Sequence, residues 1–123
     1  MRKQYYFRPS NRGLLAWDVD RLVQLSGNLP RKHIPLTKIR ELDEVWSGDD
    51  GPPTWRAMLE HLKLIDEADL SFPIILSSSG AVMDGMHRVA KVARQGRPEI
   101  EAVQFEKDPE PDHVGLGPKD LPY

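Results

Sequence analysis

The chain has 123 residues, the length of one domain with a single buried core, and its 39% hydrophobic and 29% charged residues match a globular protein in water. With 17 Lys plus Arg against 19 Asp plus Glu, the net charge of −2 argues against a protein that grips nucleic acid through bulk charge. The absence of cysteine excludes disulfides, thiolate metal sites and a cysteine nucleophile. Apolar runs such as residues 73–76 fall far short of the roughly 20 residues a membrane span needs. The N-terminus lacks the apolar stretch of a signal peptide. The expectation is a cytoplasmic, non-membrane, single-domain protein.

Residues 1–16 carry Arg2, Lys3, Arg8 and Arg12 among Tyr5, Tyr6 and Phe7. They read as a partly ordered arm that packs its aromatics on the domain; a basic-aromatic nucleic-acid contact is the other use of such a composition. A short helix follows, with Asp18 as its cap, Val19, Leu22 and Val23 on one face, and Gly27 ending it in a left-handed conformation. Trp17 before the cap and Leu22 in the first turn fit a hydrophobic staple.

Residues 33–39 alternate at Ile34, Leu36 and Ile39, which predicts a strand that Pro35 keeps near a sheet edge. Residues 40–46 are a polar turn or helical segment, and 47–53 (Ser-Gly-Asp-Asp-Gly-Pro-Pro) are a loop. Thr54 caps a helix over about 54–67, where Trp55, Met58, Leu59, Leu62 and Ile65 recur at spacings of three and four and predict one buried face. Residues 73–76 (Pro-Ile-Ile-Leu) form a buried strand, 77–80 a turn and 81–84 a returning strand. A helix from about Met86 to Gln95 ends at Gly96, and residues 100–105 alternate as a last strand. From Lys107 onward periodicity is lost, and residues 108–112 (Asp-Pro-Glu-Pro-Asp) form a rigid acidic segment suited to capping an edge or meeting a basic partner. The predicted fold class is small α+β, a mixed sheet with helices packed on it.

Residues 82–91 carry the strongest chemical signal. A strand stops at Asp84-Gly85 and turns directly into a helix, whose first amides and positive dipole end suit an anion. Gly85 leaves room for a ligand near the backbone, and Arg88 offers a planar fork to phosphate oxygens. His87 and Arg88 are cations at a helix start, where an anion would offset their cost. Lys91, one turn after His87, either faces the same anion or forms a plain salt bridge. A purely structural account is also open, with Asp84 as a cap, Arg88 paired to a nearby Glu and His87 filling a crevice.

The order of elements over residues 33–106, with Asp84-Gly85-Met86-His87-Arg88 between strand and helix, resembles the ParB/sulfiredoxin superfamily. The organisation is then an N-terminal arm and short helix over 1–32, the resembling core over 33–106, and a Pro/Gly-rich acidic tail over 107–123. The resemblance implies a nucleoside triphosphate, ATP or CTP with Mg²⁺, held by Gly85, Met86, His87, Arg88 and Lys91, with Asp84 as the acid before the glycine. It also implies Mg-dependent phosphoryl transfer or nucleotide hydrolysis, in which Asp84, His87 and a carboxylate near the first strand act. Glu41 is the first choice for that base and Glu44 the second; a solvated acidic turn over Glu41, Asp43 and Glu44 is the plain alternative.

Two departures narrow the resemblance. Met86 stands where sulfiredoxins carry their cysteine, which excludes sulfinic-acid reductase chemistry. The residues after 106 are too few for the helix-turn-helix that ParB proteins append. The alternative function is a non-catalytic protein-interaction or DNA-associated accessory module that keeps the fold, with a protein partner met through the termini. Asp84, His87 and His61 form a weak metal candidate. Trp46 and Trp55 bracket the Gly-Pro loop and either anchor it or stack a base.

Overall fold

The computed structural model describes residues 3–45 and 54–123. Trp46 and the predicted loop over 47–53 lie outside them, as do Met1 and Arg2. Among the described residues ten elements, apart from short 3-10 turns, run in chain order: β1 (Tyr5–Ser10), β2 (Gly13–Asp18), α1 (Val19–Ser26), β3 (Lys32–Pro35), α2 (Trp55–Asp66), β4 (Ile74–Leu76), β5 (Val82–Asp84), α3 (Met86–Arg94), β6 (Glu99–Gln104) and β7 (His113–Val114). The fold is small α+β. No helix among the described residues is long and apolar enough to cross a membrane.

The central sheet has the order β3-β6-β4-β5, with β4 and β6 parallel and the other pairs antiparallel. β4 is buried along its whole length and β5 over Val82 and Met83, because both faces of this part of the sheet are covered. Alternation along the strands sends Ile74, Leu76, Val82, Ile100 and Ala102 to one side, where Val89 and Val92 of α3 and Ile39 complete a core. The intervening Ile75, Met83 and Val103 meet Leu15, Trp17 and Leu22 on the other side. Each such buried side chain contributes about 1.5–3 kcal/mol relative to exposure.

That second layer corrects the expected arm. Residues 5–18 are an antiparallel hairpin, with Tyr6 opposite Trp17 and the two rings 5.6 Å apart. The turn closes through the Ser10 hydroxyl, which accepts from Arg12 N–H and donates to the Gly13 carbonyl. Gly13 takes φ +97°, and a Cβ there would sit 3.1 Å from Gly115. Trp17 is almost fully buried and donates its indole N–H to the Pro109 carbonyl at 2.7 Å.

The tail is docked on this hairpin. β7 pairs with β2, and the acidic segment caps an edge by meeting basic groups of the N-terminal region. Asp108 pairs with Arg8 at 3.0 Å, and Asp112 pairs with Arg21. Lys3 pairs with Asp18 at 2.9 Å. Lys3 and Arg8 are thus tied to carboxylates rather than presented to nucleic acid.

Several local expectations hold. Asp18 accepts from Asp20 N–H and Thr54 from Ala57 N–H as helix caps. β3 is an edge strand, as Pro35 requires, but it ends there and continues as a 3-10 turn over Leu36–Lys38. Gly27 departs from expectation: at φ −60° and ψ −25° it is right-handed, and the chain leaves α1 through a further turn closed by Leu29 N–H on the Ser26 carbonyl. α2 departs more. Ile65 is its one buried residue, whereas Trp55, Met58, Leu59 and Leu62 face solvent. The side of α2 that meets α3 is the neighbouring one, through His61, Ile65 and the helix C-terminus.

Candidate functional site

β5 ends at Asp84, and Gly85 swings the backbone through φ +113° and ψ 21° so that α3 starts at once. Gly85 is the N-cap and supplies no side chain to the helix end. The first helical bond runs from Val89 N–H to the Gly85 carbonyl at 3.0 Å, so the amides of Met86, His87 and Arg88 precede the hydrogen-bonded ladder. They lie on the wall of an open groove of about 1170 Å³, bounded also by β1, the end of α1 and the Phe72-Pro73 approach to β4. Its aromatic side chains, Tyr5, Tyr6, Phe7 and Phe72, sit among charged ones of both signs, such as Lys3, Arg31, Glu67 and Asp69, a concave setting that suits a small-molecule ligand.

Asp84 does not cap α3. Its Oδ2 accepts from Arg88 Nη2 at 2.8 Å, and both side chains are mostly buried. Arg88 Nη1 donates to the carbonyls of Phe72 at 3.1 Å and Pro73 at 2.6 Å. The guanidinium expected to clamp phosphate is therefore a strut that ties the start of α3 to the entry of β4. Lys91 is committed as well: its Nζ donates to the carbonyls of Asp66 and Ala68, each at 2.8 Å, closing the C-terminal end of α2. It is not directed at the α3 N-terminus.

Gly85 has a packing reason that the sequence did not show. A Cβ at this position would lie 2.6 Å from Cγ2 of Ile74. The glycine is required by backbone sign and by close approach to β4, whatever binds nearby. Met86 is half-buried and packs against the core under α3 while lining the groove.

His87 is the titratable group of the motif that keeps chemical freedom. It is half-buried, and its ring lies 5.0 Å from that of His61, edge-on at 68°. Burial pushes its pKa down, the neighbouring His61 adds to this, and Asp84 opposes it in part. This lowering favours the uncharged imidazole, which has one nitrogen to donate and one to accept. His61, grouped with Asp84 and His87 in the sequence as a weak metal candidate, does lie beside the motif.

Glu41 is not brought to His87. Its Oε2 accepts from Val82 N–H at 2.6 Å, satisfying an amide of the edge strand β5, while Oε1 is buried with no hydrogen-bond partner among the described residues. It lines a separate, smaller cavity with Arg8, Arg40, Glu44 and Ser79. The anticipated trio of Asp84, His87 and Glu41 is thus divided: the first two share the groove, and Glu41 supports the sheet. Among the described residues no group of three His or carboxylate side chains is placed to share a metal ion, so Asp84, His87 and His61 form no such site. Trp55 is exposed rather than folded onto the motif. Phe72, Leu29 and Arg31 line the groove without having been singled out from the sequence, and Tyr5 and Tyr6, read there only as arm aromatics packed on the domain, form part of its wall.

Comparison with protein-family models, curated proteins and solved structures finds no match to this chain.

Proposed function

We propose that the chain binds a phosphorylated small molecule, a nucleoside triphosphate such as ATP or CTP in the fullest form, with its phosphate at the N-terminus of α3. The observation that carries this reading is the helix end without a side-chain cap, opening on a nucleotide-sized groove that His87 also lines. The resemblance of residues 33–106 to the ParB/sulfiredoxin superfamily supports it from the sequence side. The amides of Met86 and His87 hold phosphate oxygens, the His87 ring adds a hydrogen bond, and the aromatic walls take the rest of the ligand. Arg88 acts indirectly by fixing the turn through Asp84. A magnesium ion enters on the ligand's own phosphates, because the described residues supply no three-ligand set. His87 is also the group able to exchange a proton with a bound phosphate, so phosphoryl transfer and nucleotide hydrolysis belong in the same test.

The test is calorimetric titration of ATP, CTP, ADP and pyrophosphate, with and without Mg²⁺, on wild type and His87→Glu, with product analysis alongside. A carboxylate in the first turn favours the helix but repels an anion, which separates folding from binding. Binding by wild type that His87→Glu reduces at least tenfold supports the reading. No binding by wild type to any of the four overturns it and leaves the interaction-module reading in its place.

A further inference from the structure

The outer face of α2 is apolar, and none of the other described residues covers it. Trp55, Met58, Leu59 and Leu62 recur at spacings of three and four and are 81%, 43%, 64% and 39% exposed. Contiguous apolar surface of this kind, headed by a Trp, marks an interaction surface. Arg56, Glu60, Lys63 and Glu67 run along one flank of the stripe, with signs alternating plus, minus, plus, minus. Met58 occupies the other flank.

That charge order identifies the partner. In a parallel helix pair the charged flank would face the Met58 flank and find no counter-charges. In an antiparallel pair each flank faces itself in reverse order. Arg56 then lies beside Glu67 of the second copy, and Glu60 beside Lys63 of the second copy, so every pair is of opposite sign. We propose that α2 is a self-association helix, docking antiparallel about a two-fold axis on α2 of a second copy of this chain. The intrahelical Lys63–Glu67 pair, at 3.9 Å and exposed, is weak and yields readily to this arrangement. A 12-residue helix is about 18 Å long and buries less than the roughly 1,600 Å² of a standard interface, so the dimer is weak, in the micromolar range or above. The proposal stands apart from the anion reading, which uses the α3 end.

Sedimentation velocity on the full chain, from about 5 to 500 µM, a range that brackets a weak interface, reads the association. The mass is expected to rise with concentration from 14.0 kDa toward twice that value. Leu59→Glu holds the chain monomeric throughout. Glu60→Lys sets a second cation against Lys63 and weakens association several-fold, and the double variant Glu60→Lys/Lys63→Glu restores it. The sites are exposed, and the charge variants decide the matter should Leu59→Glu perturb the fold. A chain that stays monomeric across the range overturns the proposal. So does a dimer indifferent to both Leu59→Glu and the charge reversal.

Discussion

Arg88 Nη2 donates to Asp84 Oδ2 at 2.8 Å across one turn of α3, while Nη1 of the same guanidinium holds the carbonyls of Phe72 and Pro73. The residue that looks most like a ligand clamp is thereby the fastening between the start of α3 and β4. Arg88→Ala leaves Asp84 without its cation and two backbone carbonyls without a donor. The expected loss is about 2–4 kcal/mol, read by urea or thermal denaturation. Arg88→Lys recovers only part of it, because an ammonium lacks the planar fork. A loss of ligand binding in Arg88→Ala without loss of stability would contradict the strut.

Gly85→Ala is expected to be among the most damaging single changes to stability. The new Cβ would meet Ile74 at 2.6 Å and hold φ at +113°. Strain and overpacking together predict a cost of about 2–4 kcal/mol. Gly80→Ala is the control: it also has positive φ but nothing within 4 Å of the added carbon, so its cost is confined to backbone strain. Chemical denaturation of the two variants side by side checks the difference.

Stability is expected to fall in two stages on acidification. Burial lowers the pKa of His87 from its usual value near 6.5. Below that pH the unfolded chain binds the proton first, so stability is full above about 6.5 and declines as pH falls toward the folded value. The second stage belongs to carboxylates. Asp18 is held down by Lys3; Asp108 is raised by burial, but Ser78 N–H and Arg8 outweigh this and leave it lowered. Their contribution is present above the usual 3.8 and is lost as pH falls through the folded values. Thermal midpoints from pH 8 to 2 should show both steps, with the first absent in His87→Gln and the second reduced in Asp108→Asn.

Anion binding at the α3 end has its own pH signature. A bound phosphate favours the charged imidazole, so it raises the His87 pKa and, by linkage, binds more tightly as pH falls from 8 toward 6. Calorimetry with pyrophosphate should show this trend in wild type. In His87→Gln the pH dependence should be limited to that of the ligand itself.

Much of the central layer was legible because its patterns are local. Thr54 and the spacing after it located α2, and the Pro-Ile-Ile-Leu run, the serine turn and Asp84-Gly85 located β4, β5 and α3. The hairpin was hidden because Tyr5-Tyr6-Phe7 is an unbroken aromatic run followed by Arg8-Pro9, with no apolar–polar alternation to mark a strand, and a basic composition reads as an arm. The roles of Arg88 and Lys91 were hidden for another reason: their acceptors include backbone carbonyls 15 to 25 residues upstream, which no side-chain pattern reports. For α2 the periodicity established that an apolar stripe exists but not that His61 and Ile65, on the adjacent side, make the contact with α3.

The hairpin beneath the sheet also sets the order in which this protein can become itself. Leu15, Trp17 and Leu22 are made before the residues that cover them, Ile75, Met83, Val103 and Phe105, and the carbonyl that accepts from Trp17 comes 92 residues later. At ribosomal speeds of about 5–20 residues per second, that interval lasts on the order of 5–20 s. During it the nascent chain carries an indole and two leucines without the strands and tail that cover them, a natural substrate for a chaperone until those residues have been made.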